Sequence, residues 1–130
     1  MAATYLDSSA LVKLAVGEPE SAALRRYLRR RRPLVSSALA RTEVLRSLLL
    51  EGDEAVARGR SVLDRVELIR VNDRILNAAA TLLPVEVRSL DAIHLATARQ
   101  LEADLGLLVT YDERMLDAAN QLGIRTAAPT

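Results

Sequence analysis

Short apolar runs alternate with longer stretches of helical periodicity along this chain, the pattern of strands interleaved with helices. Ala3 to Leu6 reads as a short buried strand that stops at Asp7-Ser8-Ser9, where Ser8 or Ser9 offers a cap for a helix through Leu11 and Leu14. Gly17 ends that helix, and Pro19 opens the next at its first position, with Glu18 and Glu20 near its positive end. That second helix stops before Pro33, and Leu34-Val35-Ser36 forms a second strand. Ser37 caps a helix over Ala38 to Leu50, broken at Gly52, and a further helix over Asp53 to Asp64 leads into a third strand, Glu67 to Val71. Asn72 or Asp73 caps a helix that reaches Leu83 and Pro84, and Ser89 caps another over Leu90 to about Ala103. Leu107 to Thr110 reads as a fourth strand, Glu113 to Gln121 as a helix ended by Gly123, and Ile124 to Thr126 as a last strand. Strands separated by helices are βαβ units, so the expected architecture is α/β, a central parallel sheet of about five short strands flanked by helices on both faces. Such folds keep their sites in the crevice beyond the carboxyl ends of the strands.

Composition narrows the chemistry. The chain has 130 residues with no internal repeat, linker or low-complexity tract, and it is read as a single domain over 1–130. Half of it is hydrophobic and 27% charged, which excludes intrinsic disorder. The absence of Cys removes zinc fingers, iron–sulfur centres, thiol catalysis and disulfide scaffolds, and a single His removes multi-histidine metal sites. No apolar run approaches the ~18 residues of a membrane span, and the N-terminus lacks a signal-peptide pattern, so a cytoplasmic protein with no membrane role is expected. The formal net charge of +1 favours no class of partner. The basic residues are all Arg except Lys13, and they are densest at Arg25, Arg26 and Arg29 to Arg32. This run is either a solvated face or a source of phosphate contacts, if its helix faces the functional groove. The aromatic residues are only Tyr5, Tyr27 and Tyr111, too few for a base-stacking platform.

Four carboxylates stand apart from those on solvated helix faces. Asp7 and Asp112 each follow a strand, where a helix cap and a functional ligand are both open readings. Asp91 falls in the first turn of its helix, among small neighbours (Ala92, Ala96, Ala98) that let the helix approach the sheet; dipole stabilisation is its structural alternative. Glu43 lies on a helix that is apolar nearly all round and so expected to be largely buried; it needs a partner, either Arg46 at i+3 or a cation shared with other acids. Clustered carboxylates repel one another unless a divalent ion compensates, and an all-oxygen set points to Mg²⁺ or Mn²⁺. Such ions activate water and neutralise charge in phosphoryl chemistry. His94, at i+3 from Asp91 on an apolar helix, reads as a packing residue rather than a general base.

The segments YLDSSALVKL, SSALARTEVLRSL, RSLDAIHLATA and LVTYDERMLDAA resemble, in order and spacing, the PIN domain, and more narrowly the VapC-type toxins of type II toxin–antitoxin modules. The likeness runs from Tyr5 to Ile124, with no departure at the acidic positions. It implies a PIN-like three-layer fold with strand order 3-2-1-4-5 and a metal-dependent endoribonuclease. Its acidic site would be Asp7, Glu43, Asp91 and Asp112, with Asp7 and Asp91 closest to Mg²⁺ or Mn²⁺, and Ser8 and Thr110 as supporting hydroxyls. It further implies hydrolysis of tRNA, rRNA or mRNA, a homodimer, and a cognate antitoxin of a VapBC-type pair whose tail fills the acidic groove. The alternatives are a PIN nuclease of RNA processing, a phospho-acceptor signalling domain and a non-catalytic RNA-binding module. A lone Asp7 after the first strand, and no Lys after a late strand, speak against the signalling domain.

Overall fold

The computed structural model describes residues 2–130. Its centre is a parallel sheet of five strands, β1 (Ala3–Leu6), β2 (Leu34–Ser37), β3 (Glu67–Ile69), β4 (Leu105–Val109) and β5 (Thr126–Ala127), in the order β3-β2-β1-β4-β5. Each pairing is parallel, with Thr4 opposite Leu34 and Leu107, and Leu6 opposite Val109. Every residue of β1 is buried, as expected of the central strand of a sheet covered on both faces.

The two-residue alternation of β1 divides the core. Leu6 packs with α1 (Ser8–Ala15), α2 (Ser21–Leu28), α3 (Leu39–Leu48) and α4 (Asp53–Asp64), through Leu11, Leu24, Val44 and Leu63. Ala3 and Tyr5 face the opposite layer, where α6 (Ser89–Arg99) and α7 (Glu113–Gln121) contribute Leu95, Ala98, Met115 and Ala118. Helix α5 (Asp73–Ala80) completes the chain between β3 and α6. Where α4 crosses α3, Gly59 allows the contact: a Cβ there would stand 2.5 Å from the Leu48 methyl.

Several local expectations shift for identifiable reasons. The cap of α1 is Asp7, not Ser8 or Ser9, because its carboxylate accepts the Ala10 amide. Helix α2 starts at Ser21 rather than at Pro19. The Ser21 hydroxyl accepts from the Glu18 amide and donates to the carbonyls of Lys13 and Val16, tying residues 18–21 into a turn. Helix α6 is preceded by Arg88 with no side-chain cap, and Ser89 is its first helical residue. Ser37 does accept the Leu39 amide, and Asn72 caps α5 as expected. Helix α3 is not apolar all round: it buries Ala40, Val44 and Leu48, exposes Arg41, Thr42 and Arg46, and tightens into a 3₁₀ turn at Leu49–Glu51. Glu43 lies at the edge of its buried stripe.

Candidate active site

Two of the four acids reach one end of the sheet by the same local device, a strand that stops and a helix that starts. Asp7 follows β1 and caps α1; Asp112 follows β4 and caps α7 through the amides of Arg114 and Met115. Since β1 and β4 are hydrogen-bonded neighbours, both side chains emerge at adjacent carboxyl ends. Asp91 enters from the first turn of α6. Glu43 comes from α3, which follows the carboxyl end of β2.

Asp7 is 4% exposed and held on both oxygens. Oδ1 accepts from Ser9 Oγ at 2.7 Å and from the Ala10 amide at 3.1 Å, while Thr110 Oγ1 donates to Oδ2. Burial nonetheless raises its pKa above the ordinary carboxylate value, against the lowering effect of those bonds. The sequence reading of Thr110 as a supporting hydroxyl matches this geometry. Ser9, read only as an alternative cap, is a second one: it also meets Thr110 and accepts the Tyr111 amide.

Glu43 is partnered by His94, not by Arg46. His94 Nε2 lies 2.6 Å from Glu43 Oε1, and Ser8 Oγ donates to the same oxygen. On the other side of the ring, Nδ1 stands 2.7 Å from the Tyr5 hydroxyl. A carboxylate only accepts, so Nε2 carries a proton, and in the neutral ring Nδ1 accepts from Tyr5. Burial pushes the Glu43 pKa up, but the His94 and Ser8 bonds outweigh it and leave the carboxyl below its usual range. His94 is 1% exposed, so its reading as a buried residue holds, yet both ring nitrogens belong to the site.

Asp91 and Asp112 share a cation from the chain itself. The Arg88 guanidinium lies 3.7 Å from Asp91 and 3.8 Å from Asp112 Oδ2. Burial raises the pKa of Asp91, the negative charge of Asp112 raises it further, and Arg88 partly offsets both. Nothing in the composition or motifs singles out Arg88; its i, i+3 spacing to Asp91 is the signal the sequence carries.

The donors, four carboxylates with hydroxyl support and no thiol, suit a hard divalent cation such as Mg²⁺ or Mn²⁺. Among the described residues, no three carboxylates or imidazoles stand close enough to close directly on one ion. The electrostatics fit such an ion better than the distances do. Asp7 and Asp91 are both held above their ordinary pKa, and the charges of Asp112 and Asp7 raise Asp91, a repulsion that a divalent cation relieves.

The Arg25–Arg32 run lies elsewhere. The Pro33 carbonyl accepts the Thr4 amide near the amino end of β1, whereas Asp7 lies past its carboxyl end. The end of that run therefore sits across the sheet from the acids, and the condition that its helix face the groove is not met.

Comparison with known proteins agrees with this architecture. The family model of the PIN domain matches residues 4–121. The chain is 62% identical over 130 residues to ribonuclease VapC46 of Mycobacterium tuberculosis, with 100% of both chains covered. It is 37% identical to ribonuclease VapC47 of the same species, with 96% of each covered. Among solved structures, Mycobacterium tuberculosis VapC20, a Sarcin-Ricin loop cleaving toxin, shares the fold with a TM-score of 0.77 at 16% identity, over 97% of this chain and 99% of that one. From the full-length likeness and the match of its sheet order to the one expected of the fold, this chain belongs to the PIN-domain family, on its VapC branch.

Proposed function

We propose that this protein is a metal-dependent endoribonuclease, the toxin of a VapBC-type pair, which hydrolyses RNA phosphodiesters at Asp7, Glu43, Asp91 and Asp112. The observation that carries the reading is the placement of Asp7 and Asp112 at the adjacent carboxyl ends of β1 and β4, with Asp91 joined to Asp112 through Arg88 and raised by its acidic neighbours. Full-length likeness to a ribonuclease supports it. Mg²⁺ or Mn²⁺ held by these acids supplies a Lewis acid for the phosphate and lowers the pKa of water. The chain's own residues hold the acids in place. Ser9 and Thr110 fix Asp7, while His94 and Ser8 fix Glu43 through its Oε1 alone. Arg88, beside Asp91 and Asp112, is placed to meet the substrate phosphate.

A homodimer and a cognate antitoxin belong to the same reading. Leu83, Val85 and Leu90 are exposed around α6 and its preceding loop, an apolar surface of the kind that pairing covers. The chain has no helix long and apolar enough to cross a membrane among the described residues, in keeping with a cytoplasmic place of action.

The decisive experiment incubates the purified protein with labelled total RNA and maps new ends. Cleavage is expected with Mg²⁺ or Mn²⁺, and none in excess EDTA or with Asp7→Asn. Undiminished cleavage in EDTA sinks the metal reading, and equal cleavage by Asp7→Asn sinks the assignment of the site.

A further inference from the structure

A cavity of about 500 Å³ opens directly beside the acids, between α7 and the loop leading into α6, and Asp91 itself lines it. Its floor is apolar, made by Val87, Met115 and Ala118, the last two almost fully buried. Its wall is polar. Arg114 and Asp117, i and i+3 on α7, and Arg88 at the Asp91 side all face it. Arg114 and Asp117 make no ion pair among the described residues.

An apolar floor with a few polar groups along its wall is the chemistry of a small-ligand site, and the volume lies within the usual range of roughly 300–1,000 Å³. The cavity has room for one nucleotide, not for a duplex. With a phosphate beside Arg88 at the acids, the neighbouring part of the strand that fits an apolar floor is a base. An unpaired Arg next to an unpaired carboxylate calls for a base with acceptors and donors on adjoining edges. Guanine presents N7 and O6 to an Arg and its N1–H and N2 amino group to a carboxylate. Adenine offers the Arg only N7.

We propose that this cavity is a nucleobase pocket that takes one unpaired guanine next to the phosphate being cleaved, with Arg114 and Asp117 reading its edges. The base must leave its stack to enter, so cleavage falls in loops or single strands rather than within helices. The proposal rests on the RNA-cleaving reading of the acids for its biological meaning, but the binding itself is testable without cleavage.

The test has two arms. In the first, ¹⁵N-labelled protein in EDTA is titrated with guanosine 5′-monophosphate, the other three ribonucleoside monophosphates and ribose 5-phosphate. Guanosine monophosphate is expected to shift the amides of Val87, Met115 and Ala118 at lower concentration than the others, and ribose 5-phosphate to leave those of Met115 and Ala118, away from the phosphate position, in place. Asp117→Asn and Arg114→Gln should each weaken that binding roughly tenfold. Both residues are exposed, so the fold should survive their replacement, and an unchanged amide spectrum confirms that it does. Equal shifts from ribose 5-phosphate, no preference among the four nucleotides, or shifts centred away from these residues overturn the proposal. In the second arm, with Mg²⁺, oligonucleotides carry an abasic site or inosine at each position flanking the mapped cut. A fall in kcat/KM at one guanine position, lost in Asp117→Asn, supports the pocket; indifference to every abasic site overturns it. Binding in the first arm without any cleavage in the second would leave the pocket standing and refute the nuclease reading.

Discussion

Glu43 Oε1 receives two donors, His94 Nε2 and Ser8 Oγ, and His94 is itself held by Tyr5 through its other nitrogen. The chain of contacts fixes both the tautomer of the ring and the rotation of the carboxylate. Replacing His94 separates packing from donation. In His94→Leu the volume is filled, but the Tyr5 hydroxyl and Glu43 lose a partner in a buried setting, an expected cost of about 1–3 kcal/mol. His94→Gln places an amide N–H near the position of Nε2 and should recover part of that loss. It should also recover Mn²⁺ affinity, measured by calorimetric titration, better than the Leu variant does. Equal Mn²⁺ affinity in both variants would reduce His94 to a filler. The sequence disclosed that this imidazole is buried, since its helix is rich in Ala and Leu. It hid the partners, because Tyr5 and Glu43 lie 89 and 51 positions away and meet His94 only after the sheet has assembled.

At the scale of the element, capping a helix and facing the crevice are one arrangement rather than rivals. Asp112 uses Oδ1 to accept the Arg114 and Met115 amides, and its Oδ2 faces Arg88, which also meets Asp91. The strand-to-helix corner gives a carboxylate one oxygen for the helix and one for the crevice. Sequence reasoning could name the corner from Val-Thr-Tyr-Asp followed by helical periodicity, but each role alone accounted for an acid there. At the corner after β1 the sequence leaves Asp7, Ser8 and Ser9 all open as caps, and it is Asp7 that accepts the Ala10 amide. A graded pair of variants resolves the two roles. Asn is as good a cap as Asp, so Asp112→Asn should abolish cleavage while the melting temperature stays within a degree or two. Asp112→Ala should lose activity and about 1 kcal/mol of stability as well. A large loss of stability in Asp112→Asn, seen in thermal melts, would show that the charge itself holds the helix.

Across the whole molecule, the parallel sheet gathers acids at one end and leaves arginines at the other. Arg25, Arg29, Arg32 and Arg65 surround a cavity of about 250 Å³ floored by Leu28, Leu34 and Val62. Strand order and the two helical layers were readable in advance, from the alternation of elements and the family-like segments, because a βαβ chain with short connections has few ways to wind. Which end an Arg run reaches was not readable, since it depends on how far α2 carries the chain back before β2 begins. The acids set the pH response of the metal-free protein. Asp7 and Asp91 have folded pKa values above the ordinary carboxylate value, through burial in the first place. Their neutral forms are thus favoured in the folded state, and the stability they contribute is full below about pH 3.9 and is lost as pH rises through their folded values. Glu43, held low by His94 and Ser8, acts in the opposite sense: its contribution is present at neutral pH and is lost as pH falls through its folded value. Asp7→Asn removes one titration at nearly constant shape, so the comparison isolates it. In EDTA, the stability of Asp7→Asn minus that of the original protein should increase from pH 4 to pH 7.5 in urea denaturation. Mg²⁺ should then narrow the gap at pH 7.5, because it binds the folded original protein and stabilises it by mass action. A gap that stays constant with pH would mean that the Ser9, Thr110 and Ala10 donors cancel the effect of burial on Asp7.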